Sequence, residues 1–143
     1  MTEDRSYGVI PFRVVDGTPF FLMVWERWGK GHWGFPKGHP HEGESKKDTA
    51  LRELSEETSL APQVVLDEEL ALSYTFRYRG WRISKVVEFF LALMGEEEPR
   101  LQEDEVTDYR WMTLEEILAA TPYPELQDLA TKAHRAVCEY QQG

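Results

Sequence analysis

The sequence predicts a mixed α/β domain, and the order of its elements suggests a sheet between helices. Three observations carry that expectation: two pairs of aromatic and β-branched runs joined by glycine-containing turns, a capped amphipathic helix between the pairs, and helical patterning after them. At 143 residues the chain is long enough for a real core and too short for two independently packed ones. A single domain spanning 1–143 is therefore expected.

Each element follows in order. Tyr7 to Val15 and Pro19 to Trp25 read as strands joined at Asp16-Gly17, a favoured hairpin turn. His32-Trp33-Gly34-Phe35-Pro36-Lys37-Gly38 reads as a glycine-rich loop, in which bare backbone N–H groups and Lys37 can approach an anion. Ser45 with Asp48 three residues later forms a variant capping box, and the helix it opens places Ala50, Leu51 and Leu54 on a buried face. Leu70 to Tyr78 and Trp81 to Met94 form a second strand pair, separated by Arg79-Gly80. After the polar stretch Gly95-Glu96-Glu97-Glu98-Pro99, Tyr109 to Met112 reads as a short strand. Thr113 with Glu116 caps a short helix, and Pro124 stands in the first turn of a last one. That last helix aligns Leu126, Leu129, Ala133, Val137 and Tyr140 along one stripe.

Composition limits the function classes. A formal charge of −10 argues against a broad nucleic-acid-binding surface, which needs a basic face, but not against a nucleotide bound beside a cation. Cys138 is the only cysteine, so no internal disulfide can form and a reducing, cytoplasmic setting is expected. No apolar run is long enough to span a bilayer, and the opening Met-Thr-Glu-Asp-Arg-Ser does not read as a signal peptide.

The chemistry concentrates on the first helix. Glu53, Glu56 and Glu57 stand at i, i+3 and i+4, so their side chains share one face within a turn. Like charges this close repel, and an all-oxygen cluster suits a hard ion such as Mg²⁺ or Mn²⁺. The bland alternative is a solvated acidic face. Arg52 lies beside Glu53 and a turn from Glu56, where it can orient a carboxylate or form an ordinary surface ion pair of little worth.

Gly38, Glu44, Arg52, Glu53, Leu54, Glu56, Glu57 and Leu60 together resemble the signature of the Nudix hydrolases: glycine, five residues, glutamate, seven residues, then Arg-Glu-apolar-any-Glu-Glu-any-Gly-apolar. Ser59 departs, standing where the family has a glycine in left-handed conformation at the helix exit, at a cost of roughly 1 kcal/mol. The resemblance implies an α/β/α sandwich, Mg²⁺ (or Mn²⁺) at Glu53, Glu56 and Glu57, and hydrolysis of a phosphoanhydride. It implies a catalytic base among Glu53, Glu57 and Glu105, with Glu105 completing the metal site; Glu103 and Asp104 are its substitutes in a shifted register. Glu44 and Arg52 orient the helix and its carboxylates.

The segments HWGFPKGHPHEGES, KVVEFFLA and EVTDYRW are similar to the asymmetric diadenosine tetraphosphate hydrolases within that family, over about Tyr7 to about Ala133. That similarity implies phosphate contacts from His32, Lys37 and Lys85 and adenine stacking between Tyr78 and Tyr123. The bland readings are a surface histidine, a polar strand residue at Lys85, a hairpin-closing Tyr78 and a Tyr123 packed under a loop. Phe89 and Val106 depart from the subfamily, which has tyrosine and histidine there. The implied reaction is diadenosine tetraphosphate to ATP and AMP. Its rivals are another Nudix activity, such as removal of pyrophosphate from a 5′-triphosphate RNA, and a nucleotide-sensing module without turnover. A small nucleotide is the expected partner, with no membrane, no long nucleic acid, and a monomeric or weakly dimeric chain.

Overall fold

The computed structural model describes residues 2–27, 29–101 and 106–143. The chain runs β1 (Thr2–Val15), β2 (Thr18–Glu26), β3 (His32–Gly34), β4 (Lys37–Gly38), α1 (Lys46–Thr58), β5 (Val64–Tyr78), β6 (Trp81–Leu93), β7 (Val106–Met112), α2 (Leu114–Ala120) and α3 (Pro124–Gln142). The strands form one mixed sheet in the order β3-β2-β1-β6-β5, with β4 added to β1 and β7 to β2.

Both expected hairpins form, for the reason their turn residues suggest. Asp16 and Gly17 have φ of 51° and 81°, and Arg79 and Gly80 have 51° and 80°. Two consecutive left-handed residues match the twist of the flanking strands, which is why Asp-Gly favours such turns. The two hairpins join through β1 and β6, which run parallel from Thr2↔Ile83 to Phe12↔Leu93. Among the described residues this is the one parallel ladder, and it makes the sheet mixed.

Strand alternation divides the core into two layers. Ile10, Phe12, Phe21, Met23, Val87, Phe89 and Leu91 meet Leu126, Leu129, Ala133 and Val137 of α3 and Ile117 of α2. Val9, Leu22 and Ala92 face the other way and meet Ala50 and Leu54 of α1. Burial of each large side chain such as Phe12 or Phe21, both fully inaccessible, contributes about 1.5–3 kcal/mol. Helices thus cover both faces. Tyr140 is the exception in the α3 stripe: it stays half exposed while its ring meets Phe12 edge-on at 6.0 Å.

The structure differs from the sequence reading in the reach of three strands, with β7 starting at Val106 rather than Tyr109, and in the loop before α1. β1 begins at Thr2 and β5 at Val64, because each gains ladder partners on β6 that no local pattern reveals. The expected glycine-rich loop contains two short strands, with β3 on β2 and β4 on β1. Gly8 permits this packing: a Cβ there would lie 2.2 Å from the Pro36 carbonyl oxygen, which accepts a hydrogen bond from the Val9 N–H.

α1 starts at Ser45, whose Oγ accepts the Asp48 N–H at 3.1 Å. It ends at Ser59 with φ 63° and ψ 20°, the left-handed conformation that glycine would adopt without strain. Ser59 has a compensation: its Oγ donates to the Arg100 carbonyl, while the Arg100 N–H donates to the Thr58 carbonyl. α2 opens with the expected reciprocal capping box between Thr113 and Glu116, and Pro124 opens α3. Because the Ser59 hydroxyl bond is exposed, Ser59→Gly should raise unfolding stability by somewhat less than about 1 kcal/mol, read as a higher urea midpoint at unchanged slope.

Candidate active site

α1 lays its acidic face against β4, and one absent side chain sets the approach. A Cβ on Gly38 would lie 2.1 Å from the Glu53 carboxyl carbon. Any larger residue must push that carboxylate aside.

Arg52 is no ordinary surface ion pair, because it binds several partners at once. Its Nε and Nη2 donate to Glu44 at 2.8 and 3.0 Å, its Nη1 donates to Glu53 at 3.0 Å and Glu56 at 3.1 Å, and Nη2 also reaches the His39 carbonyl at 2.9 Å. The two-pronged contact with Glu44 fixes the guanidinium plane. Glu44 further accepts the His41 N–H and the Thr49 hydroxyl. Arg52 foremost, then the His41 N–H, hold the Glu44 carboxyl down at about 2. The guanidinium's own pKa is raised, chiefly by Glu44.

Glu57 is treated differently. Its Oε2 accepts the Lys37 backbone N–H at 3.2 Å, and Arg52 makes no contact with it. Burial, reinforced by the charge of Glu26 and by Glu53, pushes its carboxyl far above the usual range, against the pull of Lys37. Among the described residues no three His, Cys, Asp or Glu side chains are gathered closely enough to enclose an ion. The donor set nevertheless fits a hard divalent cation: Glu53, Glu56 and Glu57 offer only oxygen, and the crowding of Glu57 with the Glu26 and Glu53 carboxylates is what a cation would relieve.

A residue the sequence reading missed connects this face to the rest of the site. Glu26, at the end of β2 and only 6 % exposed, accepts both oxygens' worth of hydrogen bonds from Lys37 Nζ, at 2.9 and 3.0 Å, and pairs with His32 Nε2 at 2.7 Å. Burial alone would raise the Glu26 carboxyl, but the His32 hydrogen bond and the Lys37 charge outweigh it and hold it low. Lys37 is likewise raised by Glu26 in spite of its own burial. Its ammonium is therefore already partnered, where the sequence reading left it open for phosphate. The available signal was a lone acid closing an apolar strand.

Beside this trio lies a cleft of about 340 Å³, lined by His32, Lys37, Tyr74, Phe89 and Tyr123 among others. The structure brings His32, Lys37 and Tyr123 together, with the His32 and Tyr123 rings edge-to-face at 6.1 Å. Tyr78 is not among the lining residues. It sits at the end of the β5–β6 hairpin, 56 % exposed, with the Arg79 guanidinium 5.3 Å over its ring. Tyr74 takes the place in the cleft; it shares the strand face of Tyr78, so alternation alone could not choose between them. Lys85 also lies outside the lining. It is buried, its Nζ donating to Asp4 at 2.8 Å and Ser6 at 2.6 Å, while Asp4 also holds His39 at 2.8 Å. Its partners come from β1, far away in sequence. Glu103, Asp104 and Glu105 lie outside the described residues.

Comparison with known proteins identifies the family and the fold. The NUDIX domain model matches residues 3–133. The bis(5′-nucleosyl)-tetraphosphatase [asymmetrical] of Sus scrofa is 32 % identical over 143 residues, covering 94 % of this chain and 95 % of that protein. An RNA pyrophosphohydrolase of Caulobacter vibrioides is 36 % identical over 99 residues, covering 59 % of this chain and 58 % of its own length. Among solved structures, the binary complex of the C. elegans Ap4A hydrolase superposes with a TM-score of 0.79 at 23 % identity, over 94 % of this chain and 98 % of that one.

Two substitutions check the geometry. Glu26→Ala leaves the Lys37 ammonium without its counter-charge and should cost about 3 kcal/mol near neutral pH. Because the carboxyl is held below its ordinary 4.5, that contribution is present above 4.5 and is lost as pH falls through the lower folded value. The gap between variant and parent in urea unfolding should therefore narrow in acid. Gly38→Ala should change the urea midpoint little, since only the tip of Glu53 must move. It should lower turnover at least tenfold.

Proposed function

This chain belongs to the Nudix family and is a pyrophosphohydrolase, and we propose that it uses Mg²⁺ to hydrolyse diadenosine tetraphosphate to ATP and AMP. The observation that carries the reading is the placement of the glutamate face of α1 directly behind Lys37, whose other side opens on an aromatic cleft. Anhydride chemistry and base recognition need such neighbouring sites.

Cleaving P–O–P with water puts the hydroxyl on one phosphorus and the proton, in the end, on the departing oxygen. A bound Mg²⁺, held by Glu53, Glu56 and Glu57, would supply neutralisation of phosphoryl charge and a more acidic water. Glu57 is the proton acceptor in this reading, because it stands beside the Lys37 backbone on the face of α1 that would hold the metal and its water. Glu53 is the alternative base, and Glu105 completes the acidic set. Arg52 and Glu44 keep the Glu53 and Glu56 carboxylates in place. Tyr74 and Tyr123 offer the flat faces for adenine, with Tyr74 in the role the sequence reading gave Tyr78. His32 and Lys37, anchored on Glu26, line the phosphate side of the cleft in this reading. Lys85 acts at a distance, fixing Asp4 and through it His39.

The local identity with an RNA pyrophosphohydrolase favours a second reading, release of pyrophosphate from a 5′-triphosphate end by the same glutamates.

Incubation with Mg²⁺ and diadenosine tetraphosphate should give equal ATP and AMP. Two ADP, or intact substrate beside active cleavage of triphosphorylated RNA, would overturn the assignment. Run in ¹⁸O-water, the same reaction identifies the attacked phosphorus by the labelled product. Glu57→Gln should lower turnover by at least about a hundredfold with an unchanged urea midpoint; a near-parental rate would remove Glu57 from the site.

A further inference from the structure

The aromatic walls of the cleft do not choose between bases. Tyr74 and Tyr123 offer flat faces on which any purine can stack, so selectivity has to come from a group at the edge of the ring. His32 and Lys37 also line the cleft, but both are committed to Glu26.

Glu125 is the only carboxylate among the described lining residues. It is exposed, stands two positions after Tyr123 in the first turn of α3, and is followed by the buried Leu126. Its carboxylate has no hydrogen-bond or ion-pair partner among the described residues. Its charge nevertheless reaches Tyr74: burial foremost raises that hydroxyl, and Glu125 is among the acids that add to the rise against the pull of Lys37.

An acid in the first turn of a helix is favourable on its own account, because it meets the positive end of the helix dipole. The dipole accounts for an acid at the start of α3 but not for one that lines a nucleotide-sized cleft. Facing a polyphosphate, a carboxylate would oppose binding. Facing the edge of a base it is useful, because an ionised carboxylate only accepts hydrogen bonds and purine edges carry N–H donors. The two purines differ there. Guanine presents two adjacent donors, N1–H and the N2 amino group, which match the two carboxylate oxygens. Adenine presents its N6 amino group beside a ring-nitrogen lone pair, so one oxygen is bonded and the other repelled.

We propose that Glu125 is a specificity-determining residue of this cleft, accepting both edge hydrogen bonds of a guanine base stacked between Tyr74 and Tyr123. Adenine stacks in the same place, but guanine-bearing dinucleoside tetraphosphates are the better substrates. The inference deepens the hydrolase reading and rests on its assignment of the cleft to a base.

The test separates binding from turnover. GMP and AMP, which carry no anhydride bond, are titrated calorimetrically into the parent and into Glu125→Gln, and kcat/KM for diguanosine and diadenosine tetraphosphate is measured with Mg²⁺ on the same proteins. The parent should bind GMP about tenfold more tightly than AMP and show the same preference in kcat/KM. A glutamine amide offers one donor and one acceptor, which suit either purine, so Glu125→Gln should bring both ratios to within about twofold of unity. Equal affinity of the parent for GMP and AMP, or an unchanged ratio in Glu125→Gln, would overturn the proposal. So would an equal loss for both purines that disappears with 2′-deoxy nucleotides, which would assign Glu125 to the ribose. A lowered urea midpoint with parental base ratios would likewise overturn it, confining the residue to the support of α3. Absence of turnover with the GMP preference intact would remove the hydrolase function and uphold the base contact, so the two fail separately.

Discussion

A single buried carboxylate, Glu26, ties the functional half of this molecule together. It sits where β2 ends, and its two oxygens hold His32 on β3 and Lys37 on β4. The backbone of Lys37 in turn holds Glu57 on α1, and the ring of His32 meets Tyr123 at the start of α3. Four elements on both sides of the sheet therefore take their positions from one acid. A charge so enclosed is stable only while its partners remain, which makes the trio cooperative.

The acidic helix face solves its own repulsion unevenly. Arg52 spends its donors on Glu44, Glu53, Glu56 and the His39 carbonyl, and Glu44 is fixed from two further directions, by the His41 N–H and the Thr49 hydroxyl. Glu57 receives one backbone N–H and the nearby charges of Glu26 and Glu53. The result is a gradient across the acidic cluster, from a carboxylate held firmly ionised at Glu44 to one driven toward protonation at Glu57. Gly38 matters to this arrangement through the volume it lacks, because only a bare backbone lets β4 come so near Glu53.

The sheet explains why a nucleotide-sized cleft lies next to that gradient. The parallel pairing of β1 with β6 brings the second hairpin alongside the first, and the face bearing Leu72, Tyr74, Val87 and Phe89 then lies opposite β3 and the start of α3. Because β5 and β6 run beyond the first residues of β1, the same face leaves the core and becomes exposed. Buried cleft and open ribbon are two lengths of one strand pair.

Local chemistry alone determined much of this protein. Turn residues such as Asp16-Gly17, caps such as Ser45 and Thr113, and the spacing of Glu53, Glu56 and Glu57 act within a few positions, so hairpins, helices and the acidic face were legible in the sequence. The family signature belonged to the same class, being a run of residue types around one helix. What lay beyond reach was every choice that depends on distant neighbours. Alternation placed Tyr74 and Tyr78 on one face but could not say which reached the cleft, and nothing near Lys85 announced that Asp4 and Ser6 would enclose it. Glu26 was silent for the same reason: a strand-ending acid acquires its meaning only when β3 and β4 fold back on it, and that requires Gly8 to admit the loop against β1. Sequence determined the parts because short-range sterics and hydrogen bonding are local; tertiary structure decided their roles because burial and electrostatic pairing are not.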